Sequence, residues 1–289
     1  MATQQTQQLS PVPLIVCGAH GNMGQAVLQA AQGIETIEIV AGVVAPRSPQ
    51  TGKQAQQHWP WCRQNFTVHN ALDQALQQSR PAAAVVLDFS VAAACEKHVQ
   101  LCQQHRVAYV TGVTGLQQPQ QQALQQAAQT IAVLHAANMS LGVNVLQLLC
   151  CLAAQLLPDA DIEIAELHHR CKHDHPSGTA LWLAHKMAAS RQWPSDCVCT
   201  QQRQGVRKRQ EIGIASLRGG DERGSHMVHM LLQDESIQLT HRAASRAVYA
   251  QGALLACQYV VNQTAGQYHM HDVLKPFLRN NLQHLLDSI

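Results

Sequence analysis

The sequence predicts an α/β protein in two units: a mostly parallel sheet layered with helices, then an α+β unit with a mostly antiparallel sheet. Three observations lead there. Short apolar runs alternate with helical stretches from about residue 12 to 138, the rhythm of successive β–α–β units. A glycine-rich turn, Gly18-Ala19-His20-Gly21-Asn22-Met23-Gly24, lies between the first run and the first helical stretch. After Asn138 the rhythm changes, and runs at Ile212 to Arg218, Ser225 to Gln233 and Glu235 to His241 follow one another as antiparallel strands would.

Residues 1–10 are rich in Gln, Thr and Ser and read as a disordered tail. Leu14-Ile15-Val16-Cys17 is a short buried strand ended by glycine, and Met23 to Ala31 has helical composition. Ile37 to Val44 is a second strand, and Pro46 to Pro60 is loop-like. Ala82 to Phe89 is a third apolar strand, followed by a helix from Ala92 to His105. Val107 to Val110 is a strand, Gln117 to Gln129 a helix and Ile131 to His135 a strand. Beyond Asn138, Asn144 to Leu157 is helical. Asp161 to Leu167 alternates with Ile162 and Ile164 on one face, a half-buried strand. Ser177 to Ser190 is a helix, and Arg246 to Asn262 is a long helix that rejoins the first unit. The expected domains are therefore 11–138 with 247–289, and 139–246. No internal repeat is present.

Composition narrows the function classes. With 289 residues and 46% hydrophobic content the chain can build a sizeable core. Charged residues are only 13%, and net charge is +2, too little for a phosphate-backbone binder. The dense basic run, Arg203 to Arg209, reads as a solvated loop. The ten cysteines lack any C-x-x-C pair and read as buried free thiols of a reducing compartment. The N-terminus has no secretory pattern. The apolar stretch Leu141 to Leu157, broken by Asn144, Gln147 and Gln155, reads as a core helix rather than a membrane span. A cytoplasmic protein without nucleic-acid or membrane partners is the expectation.

The turn from Gly18 to Gly24 is G-x-x-G-x-x-G, a variant of the dinucleotide fingerprint. Glycine permits a tight turn and a close backbone approach to a pyrophosphate, which the following helix meets with free N–H groups. A glycine-rich strand-to-helix turn can also be purely structural. An acid at the end of the second strand would bind the ribose diol of NAD; here that place holds Val44, and Arg47 follows in the loop. This favours NADP or weak discrimination, with a solvated Arg47 as the plainer reading.

The densest chemistry lies in Glu166-Leu167-His168-His169-Arg170-Cys171-Lys172-His173-Asp174-His175-Pro176-Ser177-Gly178-Thr179-Ala180. A metal site would need three or four ligands at suitable spacing, and no H-E-x-x-H or C-x-x-C is present, so none is expected. An anion site fits better. Ser177, Gly178 and Thr179 open a helix with hydroxyls and backbone N–H groups, while His169 and Lys172 add cationic donors. His168 is then placed to give a proton near neutral pH. A surface histidine loop without chemistry is the remaining alternative.

These segments resemble the 4-hydroxy-tetrahydrodipicolinate reductase family, also called dihydrodipicolinate reductases. The resemblance runs from about residue 12 to 280. It is carried by Gly18–Gly24, Asp88-Phe89-Ser90, Gly112-Val113-Thr114-Gly115, Ala136 to Asn144, and above all H-H-R-x-K-x-D-x-P-S-G-T-A at 168–180. Arg218-Gly219-Gly220-Asp221 and Thr240 to Arg246 also match. It implies a Rossmann-like cofactor domain and a second domain that binds substrate and builds a homotetramer. It implies NADPH or NADH held by Gly18, Ala19, His20, Gly21, Asn22 and Met23 at the pyrophosphate. Gly112, Val113, Thr114, Ala136, Ala137, Asn138 and Met139 would hold the nicotinamide end. The cyclic dicarboxylate substrate would be bound by His169, Lys172, Gly178 and Thr179, with Ser177 beside them, and His168 and Lys172 would be the proton donors. Asp174 is placed to orient one of these cations, and Arg218 and Arg246 serve either the pocket or structural ion pairs. The chain departs from the family at Asn22 and Ala45, where Arg is common, at Val44 in place of an acid, and at Met139 in place of an aromatic. A silent nucleotide-binding homologue and a reductase of the aspartate or homoserine dehydrogenase kind are the competing readings; the latter would lack the H-H-R-x-K segment.

Overall fold

The structure is a computed structural model that describes residues 10–79, 84–200 and 205–288. All but Ser10 of the expected tail, and Arg203 of the basic run, lie outside the described residues. Two compact units emerge, Met1–Met139 with Tyr249–Ile289, and Ser140–Val248.

In the first unit, β1 (Val12–Cys17), α1 (Asn22–Ala31), β2 (Ile37–Val43), α2 (Ala55–His58), β3 (Thr67–His69) and α3 (Leu72–Ser79) come first. They are followed by β4 (Val85–Asp88), α4 (Ala92–His105), β5 (Ala108–Thr111), α5 (Gln118–Ala127) and β6 (Ala132–His135). Among the described residues seven strands form one sheet, ordered β12-β6-β5-β4-β1-β2-β3, where β12 is Gly266–Tyr268 of the C-terminal segment. All of its neighbouring strands pair in parallel. A parallel sheet buried on both faces demands unbroken apolar runs, which is why Leu14 to Cys17 and Val85 to Leu87 do not alternate. The order reverses direction between β1 and β4, the kind of switch point that opens a ligand crevice in doubly wound sheets. Helix α2 sits inside the stretch expected to be loop, and β3 and α3 were not expected. A three-residue strand sets no period, whereas Leu72, Ala75 and Leu76 of α3 are buried at helical spacing, a signal that was there to read.

In the second unit, α6 (Leu141–Leu156), β7 (Asp161–His168), α7 (Gly178–Ser190), β8 (Val198–Cys199), β9 (Ile212–Arg218), β10 (Ser225–Leu231) and β11 (Ser236–Arg242) build a sheet ordered β11-β10-β7-β9-β8. This sheet is mixed, not mostly antiparallel. Strand β10 pairs antiparallel with both β11 and β7, while β9 pairs parallel with β7 and β8. The expectation failed because β9 and β10 follow each other in sequence but are not neighbours. Residues 219–224 pass the end of β7, where the Gly219 amide donates to His168 O at 3.0 Å, and β10 enters on the far side.

Helices α6 and α7 lie against one face of this sheet. Ile162, Ile164, Ile212, Val228 and Met230 form its core with Leu183, Ala184 and Met187 of α7. By strand parity the opposite face carries Ala165, Leu167, Ala215, Leu217, Met227 and Leu231. Helix α6 is a core helix on one side only: Val145, Leu149, Leu152 and Leu156 are 42%, 47%, 48% and 70% exposed. Helices α8 (Ala247–Val260) and α9 (Met270–Ser288) complete the described chain. Among the described residues no helix is long and apolar enough to cross a membrane.

Candidate active site

Because every strand of the first sheet is parallel, all of its C-terminal ends lie along one edge. The segments singled out in the first unit leave those ends: Gly18–Met23 after β1, Val44–Arg47 after β2, Asp88-Phe89-Ser90 after β4, Gly112–Thr114 after β5 and Ala136–Met139 after β6. The structure thus brings residues from Gly18 to Met139 to one edge of the sheet.

The glycine turn is built for an anion. Gly18 and Ala19 donate to Val43 O at 2.9 and 3.0 Å, and Gly21 donates back to Gly18 O at 2.9 Å. Gly18 has φ +76°, and a Cβ there would stand 2.6 Å from Phe89 O; one at Gly24 would stand 2.2 Å from Gly18 O. The first helical N–H to find a helical partner is that of Gln25, and the N-cap Gly21 offers no side chain. No acidic residue occupies the first turn of α1. The N–H groups of Asn22 to Gly24 and the positive end of the helix are therefore left for a phosphate, and the residues present fit a dinucleotide.

Around this turn the other segments are held by buried polar groups. Asp88 has no exposure, and its carboxylate takes the Ser90 amide at 2.7 Å, His98 Nδ1 at 2.7 Å and the Tyr109 hydroxyl at 2.7 Å. Burial works against its ionisation, but these donors prevail and hold its carboxyl below the usual range. Cys17, Asp88 and His98 are close enough to share a metal ion. The carboxylate oxygens are already committed, and burial keeps the Cys17 thiol protonated. Gly112 donates to Asp88 O at 3.0 Å, Val113 to Thr111 Oγ1 at 3.1 Å, and Ala136 to Thr111 O at 3.1 Å, which ties the two loops together. Thr114 and Ala137 are exposed, Ala136 and Asn138 half-buried, and Met139 is buried. Val44 is buried, with its amide on His69 O at 2.9 Å, while Arg47 and His20 are exposed.

The second unit gathers the histidine segment at the end of β7 and the start of α7. Strand alternation puts Ile162, Ile164, Glu166 and His168 on the same, helix-covered face. Glu166 is fully buried. Arg218 holds it with two bonds, Nη1 to Oε2 at 2.9 Å and Nη2 to Oε1 at 2.8 Å, and the Ser177 amide adds a third at 3.1 Å. His168 Nδ1 lies 2.5 Å from Glu166 Oε2. Despite burial, hydrogen bonds from Arg218, the Ser216 side chain and His168 pull the Glu166 carboxyl down to about 2. Burial lowers the His168 pKa, and Glu166 opposes that fall. His226 stands edge-on to His168, ring centroids 5.3 Å apart, and burial pushes it down to about 4.

Ser177 caps α7: its hydroxyl accepts from the Ala180 amide at 3.1 Å and bonds His226 Nε2 at 3.0 Å. It is turned inward, whereas Gly178 is exposed and Thr179, His169 and Lys172 are half-buried at the surface of the cluster. Asp174 does orient a cation, taking Lys172 Nζ on both oxygens at 2.7 and 2.9 Å. Arg218 is committed to the ion pair with Glu166, and its Nη2 also donates to Asp174 O at 2.6 Å. Arg246 is exposed. Sequence reasoning passed over Glu166 and His226. The signal for Glu166 was the period of two that set Ile162 and Ile164 inward, carried two more steps.

Two family descriptions match the chain in tandem: "Dihydrodipicolinate reductase, N-terminus" over residues 12–139, and "Dihydrodipicolinate reductase, C-terminus" over residues 142–274. The chain belongs to the dihydrodipicolinate reductase family. A 4-hydroxy-tetrahydrodipicolinate reductase of Psychrobacter arcticus is 35% identical over 278 residues, 95% of this chain and 98% of that one. Another, of Pseudoalteromonas translucida, is 38% identical over 90% of this chain and 96% of the relative. A solved dihydrodipicolinate reductase of Paenisporosarcina sp. TG-14, with dipicolinate bound, shares the fold at TM-score 0.71 and 22% identity, covering 90% of this chain and 97% of its own. As a member of this reductase family the chain is an oxidoreductase of the NAD(P)-dependent kind, and its first unit has the family's Rossmann-like fold.

Proposed function

We propose that this chain reduces 4-hydroxy-2,3,4,5-tetrahydrodipicolinate to 2,3,4,5-tetrahydrodipicolinate, with His168 as the proton donor and Lys172 as both anchor and second donor. The balance is substrate, NAD(P)H and one proton in; tetrahydrodipicolinate, NAD(P)⁺ and water out. The observation that carries the reading is the second-unit cluster: a histidine braced by a buried carboxylate, a lysine, and a helix start, all within residues 166–179.

The bound dinucleotide supplies the hydride. Gly18 to Met23 hold its pyrophosphate, and Gly112 to Thr114 with Ala136 to Met139 hold the nicotinamide end. The cyclic dicarboxylate is bound by His169, Lys172, Gly178 and Thr179, and the inward Ser177 orders the helix start that presents the last two. Reduction leaves an electron pair on the substrate ring, and a positioned acid has to protonate it. His168, the buried ring braced by Glu166 at the end of β7, is that acid. With Val44 in place of a carboxylate nothing at the end of β2 repels a 2′-phosphate, so NADPH and NADH are both accepted, and Arg47 tips the balance toward NADPH. The uncovered sheet face of the second unit, with Ala165, Leu167, Leu217, Met227 and Leu231, supports a homotetramer assembled through that unit. The reading places the enzyme in the cytoplasm, in diaminopimelate and lysine synthesis, with no nucleic-acid or membrane partner.

The test is a kinetic split. His168→Gln lowers kcat by about a hundredfold or more and leaves cofactor affinity unchanged. Lys172→Ala raises KM as well as lowering kcat, because it removes a charge from a dianion site. An unchanged kcat in His168→Gln removes that residue from the chemistry, and a pure kcat loss in Lys172→Ala contradicts its anchoring role.

A further inference from the structure

Glu166 is a charged residue in the core of the second unit that touches no open surface. Both of its oxygens are engaged: Oε1 by Arg218 Nη2 at 2.8 Å and the Ser177 amide at 3.1 Å, Oε2 by Arg218 Nη1 at 2.9 Å and His168 Nδ1 at 2.5 Å. A buried carboxylate in the fork of a guanidinium stays ionised and only accepts. The ring nitrogen that faces it therefore carries a hydrogen whether His168 is neutral or charged, so Nε2 is the nitrogen that gains and loses the proton. Nε2 points toward Gly224, where even a Cβ would come within 3.0 Å of it. Glycine at this position keeps a Cβ out of that space beside the nitrogen.

We infer that Glu166, clamped by Arg218 and the Ser177 amide, is the positioning residue of the acid, fixing His168 with Nδ1–H inward so that Nε2 delivers the proton. This rests on the reading of His168 as proton donor. The bland alternative is an Arg–Glu pair that merely closes the core. Against it stands the geometry: Glu166 spends its second oxygen on the imidazole as well as on Arg218, and the same carboxylate fixes the first residue of the helix start. The other charged or titratable groups facing the ring are His226 on β10, Arg218 on β9, and Lys172 and Glu222 on the flanking loops. His226 is neutral near pH 7, and Lys172 and Arg218 disfavour the imidazolium. Glu166 is the neighbour in hydrogen-bonding contact that favours it.

The experiment measures kcat and KM against pH for the wild type, Glu166→Gln, Glu166→Asp and His168→Gln, with ¹⁵N NMR of the His168 ring in the wild type. In Glu166→Gln the alkaline limb of kcat moves to lower pH by about one unit or more, since an adjacent opposite charge is lost. In the same variant kcat falls about tenfold or more with KM little changed. Glu166→Asp recovers part of both effects. The wild-type spectrum shows Nδ1 protonated at high pH. If Glu166→Gln lowers only the melting temperature and leaves the limb in place, Glu166 is structural and the inference fails. If Glu166→Gln does not fold, the Asp variant and the wild-type tautomer decide, and a bare Nδ1 overturns the inference. If His168→Gln keeps its kcat, it is the proton-donor reading that fails, whatever Glu166 does.

Discussion

At the residue scale, the cluster around His168 ties stability to pH. Glu166 has a folded pKa of about 2 against an ordinary 4.5, so the stability it contributes is fully present above about pH 4.5. That stability drains away as pH falls toward 2 and is on the order of 3 kcal/mol in all. His226 is depressed to about 4 from 6.5: the unfolded chain binds its proton first, so stability is lost as pH falls from 6.5 toward 4. The two windows run in sequence. A melting series from pH 7 to 3 in the wild type therefore falls in two stages, and in His226→Gln the stage between pH 6.5 and 4 flattens. An equally steep first stage in His226→Gln would place the acid lability elsewhere. The residues themselves were uneven to read. His168, His169 and Lys172 stand out because three ionisable side chains cluster where a strand ends ahead of a helix start. Glu166 and His226 do not, because a buried polar group looks like any other until its partners, Arg218 at 52 positions and Ser177 at 49 positions away, are brought beside it.

At the element scale, the two devices proposed to face ligands are both helix starts, and they are made differently. Helix α7 has a side-chain cap: Ser177 satisfies the Ala180 amide and leaves Gly178 and Thr179 at the mouth. Helix α1 has none, and its first-turn amides are kept open by glycine. Gly24 is the sharper constraint, since an added methyl would meet the backbone oxygen of Gly18 at 2.2 Å, and backbone cannot step aside cheaply. Gly24→Ala is expected to cost about 1–3 kcal/mol of stability and to weaken cofactor binding more than tenfold. Calorimetric melting and fluorescence titration with NADPH check the two halves. Unchanged cofactor affinity would mean that the turn does not hold the pyrophosphate. Elements with an apolar rhythm were legible to within a few residues, β9 at Ile212–Arg218 among them. Elements without one, such as β3 and β12 of three residues each, were not, because two inward side chains set no period.

At the scale of the whole molecule, the parallel sheet was readable because β–α–β alternation permits few topologies. The mixed sheet was not, because nothing local tells β10 to pair with β7 rather than with β9, which precedes it. The family segments in turn fixed the chemistry more firmly than the fold did, since one sheet architecture serves many reactions. What joins the scales is one claim, that a dinucleotide-binding unit and a dicarboxylate-binding unit on one chain perform a single reduction. The most direct test generates the substrate in situ from pyruvate and aspartate semialdehyde with the upstream synthase and follows NADPH and NADH oxidation by this protein. The account predicts substrate-dependent oxidation of both cofactors, with NADPH preferred in the wild type and the preference lost in Arg47→Ala. No substrate-dependent oxidation of either cofactor would contradict it.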